Sequence, residues 1–211
     1  MTQQTTGSAT GVRISLAPVA GLDVLSGSLR DIDGVAHAVV RALHDLGALD
    51  VVIASHVVTS GAEPHQVLTV SADDRSAQEV EAALRQVGDA FDVSAVLGAD
   101  GCYGPPELAA GLCDAARAHS FRSSGRVVVF PGDHVLLGTV SVADATMWSD
   151  IDRVELVTGE PAEPGIALMT RDFLRPRWVG GDLVLHVQAA VGGAVVPFET
   201  PFPTPCCAYH G

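Results

Sequence analysis

The feature that most constrains this chain is a change of grammar at Ser123-Ser124-Gly125. Ahead of it, strand-like and helix-like patterns alternate. Behind it come short strand-like runs separated by glycine-rich turns. Such a chain is expected to be α+β: an α/β half over 12–122, with three helices and short, partly parallel strands, packed on, or continuous with, a mainly antiparallel β half over 123–199. In the first half Val12-Arg13-Ile14-Ser15-Leu16 alternates as a strand. Asp31 or Asp33 can cap a helix over Gly34–Leu46, with Val35, Val39, Leu43 and Leu46 on one stripe and Gly47 as its stop. Val51–Ser55 and Gln66–Val70 read as strands, Ser76 opens a second helix, a weaker strand follows at Val93–Leu97, and Pro105-Pro106 introduces a third helix to about His119. In the second half, strands are expected at Arg126–Phe130, His134–Val140, Arg153–Thr158, Ile166–Thr170, Leu183–Gln188 and Ala194–Phe198.

With 211 residues, 47% of them apolar, one globular domain over 12–199 is expected. Residues 1–11 are small and polar and are expected to form a disordered leader, with neither the basic nor the apolar region of a signal peptide. No apolar run approaches the ~20 residues of a membrane helix. A cytoplasmic protein with reduced thiols is therefore expected. All 12 basic residues are Arg; Lys is absent. That excludes lysine Schiff-base chemistry, PLP catalysis and a P-loop nucleotide site. The net charge of −13 repels phosphate backbones and anionic membrane surfaces, so neither nucleic acid nor membrane is expected as a partner. A small-molecule ligand remains open.

Chemistry concentrates at the end of the chain. Cys206, Cys207 and His210 follow the proline-rich run Pro201-Phe202-Pro203-Thr204-Pro205. Thiolate and imidazole suit Zn or Cu, and Cys207 and His210, three apart, can face one ion across a turn. A closed shell needs ligands from the folded body. His186 fits, because its neighbours Leu185 and Val187 should point to the opposite face of their strand, and His134 follows a tight Pro-Gly-Asp turn. The expected function is thus a metal-binding protein, a small-molecule-metabolising enzyme, with Cys206, Cys207, His210, His186 and His134 as ligands. Two alternatives stand beside it. Residues 200–211 could be a peptide modified or presented to a partner. Or the protein could use a metal-free thiol, with Cys102 as nucleophile, since Cys102 precedes a helix whose N-terminus should lower its pKa.

Three weaker signals complete the reading. His56 and His65 flank the Thr59–Pro64 turn and with Glu63 could form an acid/base cluster. Arg171–Trp178 is the basic-aromatic stretch; Arg175 and Arg177 could clamp an anionic small molecule, against a plainer role as an exposed turn whose Trp178 packs. Cys113 reads as a core residue. No Gly-x-Gly-x-x-Gly, Gly-x-Ser-x-Gly, His-Glu-x-x-His or Cys-x-x-Cys occurs.

Overall fold

The structure is a computed structural model that describes residues 18–201. The strand expected at Val12–Leu16 and the terminal Cys206, Cys207 and His210 lie outside the described residues. The first described strand is β1 (Ala20–Ser26), followed by α1 (Leu29–Asp45). Ser28 caps α1 by accepting a hydrogen bond from the Asp31 amide at 3.3 Å, so the helix begins five residues before Gly34. Asp31 and Asp33 therefore fall inside its first turns, and neither caps it. Next come β2 (Val51–Val58), β3 (His65–Ala72), α2 (Ala77–Gly88) and β4 (Ala95–Gly98). Ser76 and Glu79 form a reciprocal capping box at the start of α2.

These four strands lie in the order β4-β1-β3-β2, a split βαβ arrangement. Strands β1 and β2 run parallel, but β3 is inserted between them and pairs antiparallel with both. The expected parallel relation is thus one of direction without hydrogen bonding. Strand β5 (Gly101–Tyr103) extends the edge by a hairpin with β4. Helices α1 and α2 cover one face, burying Ile32, Val39, Leu43, Val80 and Leu84 on Leu22, Ile53 and Leu68. Helix α3 (Pro106–Ser120) covers the other, setting Leu108, Leu112 and Ala115 against Val58, Val67 and Ala95.

The second half does not stack on the first; it continues the same sheet. After β6 (Arg126–Val129) come β7 (Thr139–Ser141), α4 (Val142–Trp148), β8 (Arg153–Leu156), β9 (Ala167–Met169), β10 (Arg177–Val179), β11 (Asp182–Ala189) and β12 (Val195–Pro197). Strand β6 pairs with β2 on one side and β10 on the other, which makes a 12-stranded sheet. The two parallel pairings of this half, β11 with β8 and β12 with β9, join otherwise antiparallel neighbours. The expected strand over His134–Val140 is mostly something else: Asp133–Val135 is a single 3-10 turn, and extended pairing starts only at Thr139. Helix α4 arises from a capping box, Ser141 with Asp144, ahead of Val142 and Ala145, which are buried. Among the described residues, no helix is long and apolar enough to cross a membrane.

Candidate functional site

The seam where β2, β6 and β10 meet carries two polar networks, one on each face. Side chains alternate along a strand, so adjacent residues feed opposite faces. Ser55 and His56 on β2, and Arg177 and Trp178 on β10, divide in this way.

On the α1 face lies a charged network. Arg126, 4% exposed, donates from Nη1 and Nη2 to the two Asp33 carboxylate oxygens at 2.6 and 3.0 Å, and from Nε to Glu199 at 2.6 Å. Arg175 donates from Nε to Asp33 at 3.0 Å and from Nη1 to the Leu174 carbonyl at 2.8 Å. Arg177 stands 3.6 Å from Glu199 with 55% of its side chain exposed. Burial by itself would raise the Asp33 carboxyl, but the hydrogen bonds and charges of Arg126 and Arg175 outweigh it and hold it below the usual carboxylate range. Burial, reinforced by the Arg126 charge, brings Arg175 below its usual value despite the Asp33 carboxylate. Three guanidiniums (Arg126, Arg175, Arg177) thus share two carboxylates (Asp33, Glu199), and a third carboxylate, Asp133, lies near enough to Arg175 to feel its charge.

This network forms one wall of a cleft of about 1520 Å³ between the first turns of α1 and the second half. The cleft exceeds the ~300–1,000 Å³ of ordinary ligand pockets. Both body histidines expected as metal ligands line it. His186 is half-buried on β11, with Leu185 and Val187 in the core on the opposite face as the alternation requires. His134 sits on the 3-10 turn with its side chain 79% exposed. His37 on α1 lines the cleft as well and hydrogen-bonds the Asp33 carbonyl at 2.7 Å. Phe198, Glu199, Thr200 and Pro201 form part of the rim, so the chain leaves the described region at the cleft's edge. Among the described residues no group of three His, Cys, Asp or Glu could hold a metal ion.

On the α3 face lies a neutral network. Thr69 Oγ1 joins His56 Nε2 at 2.9 Å to His119 Nδ1 at 2.8 Å, and His119 Nε2 pairs with Ser71 Oγ at 2.9 Å. Trp178 packs edge-on against His119, with ring centroids 4.6 Å apart. Burial lowers the His56 pKa to about 4. Burial, with the neighbouring His56 and Arg122 charges, holds His119 well below the usual imidazole value. Gly125, at φ +137°, fits here because a Cβ would sit 2.7 Å from His56 Cε1 and 3.0 Å from Trp178 Cε3.

His56 and His65 do not form a cluster with the Glu63 carboxylate. His65 bonds Asp23 through Nε2 at 2.9 Å and the Glu63 backbone carbonyl through Nδ1 at 3.0 Å. Both ring nitrogens therefore face acceptors. These bonds and the Asp23 charge outweigh burial and raise the His65 pKa, which favours the imidazolium. The lowered thiol pKa expected at Cys102 is overturned. Cys102 lies half-buried on β5, its Sγ donating to the Ala109 carbonyl at 3.7 Å, where burial and then Cys113 push the thiol up to about 11. Cys113 is half-buried. The Arg171–Trp178 stretch divides: Trp178 is buried in the second-half core, and Arg175 and Arg177 line the cleft. Sequence reasoning missed Asp33, Arg126 and Glu199, which lie far apart along the chain. An arginine opening the apolar run Val127–Val129 was the available signal, because a half-polar strand must turn that charge to a face that can pair it.

Compared with protein-family models, with curated proteins and with solved structures, the chain matches none of them.

Proposed function

We propose that the protein binds a small anionic molecule in the cleft, with Arg177 meeting the negative group and Arg126 and Arg175 supplying the field behind it. The observation that carries this reading is the exposed guanidinium of Arg177. Arg126 and Arg175 are consumed by Asp33, Glu199 and Leu174, whereas Arg177 keeps an exposed head at 3.6 Å from Glu199, beyond a direct hydrogen bond. His37, His134 and His186 line the same cleft and supply imidazoles able to donate or accept a proton, which suits an enzyme of small-molecule metabolism. The test is a thermal-shift panel of small anions and cations at fixed ionic strength. Anions should raise the melting temperature and cations should not, and Arg177→Gln should remove the difference. Equal responses to both signs of charge would end this reading.

A second reading is metal binding by Cys206, Cys207 and His210 together with His186 and His134. What favours it is the exit of the chain: Pro201 is on the cleft rim, and Cys206 follows five residues on, within about 18 Å of extended chain. Metal analysis of the full chain, purified without an affinity tag, tests it. About one equivalent of Zn or Cu that is lost in His186→Ala supports this reading; less than a tenth of an equivalent removes it.

A further inference from the structure

The cleft is also lined by apolar side chains that the described residues leave exposed. Leu29 is 42% exposed, Leu137 59%, Val157 48% and Phe198 59%, and all four line the cleft. They come from α1, from the loop before β7, from the turn after β8 and from the segment after β12, so no single local turn explains their convergence. Scattered apolar residues on a surface are ordinary, but four converging on one concavity beside an accessible cation are not.

We propose that the cleft takes an amphipathic monoanion: a carboxylate head at Arg177 and an aliphatic or aromatic body laid along Leu29, Leu137, Val157 and Phe198. This rests on the anion reading above and adds the class of molecule. Charge selects the head. Arg177 offers one accessible positive charge, and Glu199 beside it repels a dianion such as phosphate more than a carboxylate. Asp172, which also lines the cleft, accepts from the Gly138 amide at 2.8 Å and adds to that repulsion. Size selects the body. A short acid such as acetate would leave most of a cleft of about 1520 Å³ filled with water and the apolar wall wet.

Calorimetric titration of the full chain with acetate, hexanoate, decanoate, inorganic phosphate and decylammonium tests this. Binding should be one to one and tighten about two- to fourfold for each added methylene, with decylammonium at least tenfold weaker than decanoate. Arg177→Gln should weaken every acid by a similar factor. Leu137→Ser and Phe198→Ser alter exposed side chains, should leave the melting curve in place, and should remove the gain with chain length while sparing acetate. If acetate or phosphate binds as tightly as decanoate, the amphipathic class is wrong and the anion site stands. If decylammonium binds as well as decanoate, or no acid binds, the anion site falls too. Decanoate binding at several sites and indifferent to Leu137→Ser overturns the assigned wall.

Discussion

The two faces of the seam solve the same problem in opposite ways. On the α3 side, polar groups brought inside are kept neutral: His56, Thr69, His119 and Ser71 satisfy one another with no net charge and are sealed by Trp178. On the α1 side, full charges are kept and paired: Arg126 and Arg175 share Asp33, and Arg126 also holds Glu199. The neutral face adjoins a small pocket of about 210 Å³, whereas the charged face opens on about 1520 Å³. A closed neutral network fixes how the halves meet. A charged network at the mouth of a cleft retains a field that a ligand can use.

The sharpest way to break this contrast is to remove the carboxylate that two arginines share. Asp33→Ala leaves Arg126 and Arg175 buried without their common partner, so stability should fall by about 3–5 kcal/mol. Urea unfolding reads it, and a loss under about 1 kcal/mol would mean the network is solvated and not buried.

Acid separates the faces next. His56 binds its proton in the folded protein only below about pH 4, and His119 is also shifted down, while an unfolded histidine titrates near 6.5. Between about pH 6.5 and 4, unfolding therefore takes up protons at these two sites. Stability falls on acidification by about 1.4 kcal/mol per pH unit for each. His65 opposes them only above about pH 6.5, because its raised folded pKa gives a contribution that is fully present below the unfolded value and lost as pH rises through the folded one. A net loss approaching about 2.8 kcal/mol per unit should show in urea unfolding between pH 6 and 5, and a flat profile would contradict a neutral network. Asp33, with its pKa lowered, is fully ionised in that range and should add its own loss only below about pH 4.

Crowding the neutral face should matter less. Gly125→Ala puts a methyl against His56 and Trp178 at a positive φ and should cost about 1–3 kcal/mol. If the melting temperature is unchanged, the packing there is looser than these distances imply. The smallest effect is expected at Arg177→Gln, under about 1 kcal/mol, since that side chain is 55% exposed and its pairing with Glu199 is screened by solvent. A larger loss would make Arg177 a structural member of the network and weaken its assignment to a ligand.

Much of the fold was legible where local chemistry was strong. The Ser76 cap, the strands read at Val51–Ser55 and Gln66–Val70 within the longer β2 and β3, the Pro-led α3 and most of β11 follow from periodicity and punctuation. The misses have physical causes. The β1 segment Ala20–Ser26 breaks its alternation with Asp23, which is buried only because His65, 42 residues away, pairs with it. Helix α4 has 7 residues, too few for a helical period to stand out from its neighbours, although its Ser141/Asp144 box was there to be read.

The candidate site was half legible. Arg175, Arg177, His134 and His186 could be singled out by type and spacing, because each is a polar group in a segment with a definite strand or turn pattern. By itself the sequence determined the α+β class, the sequence of helices and strands through most of the chain, and the lack of lysine chemistry. Only the tertiary structure decided that the halves share one sheet, that Asp33 leaves the capping role for Arg126 and Arg175, and that Glu199 joins them from beyond β12. The reason is the sequence distance of these contacts. Residues 33, 126, 175 and 199 meet because strand register places β6 and β10 beside α1, and register is set by the pairing of whole strands, which no local pattern contains.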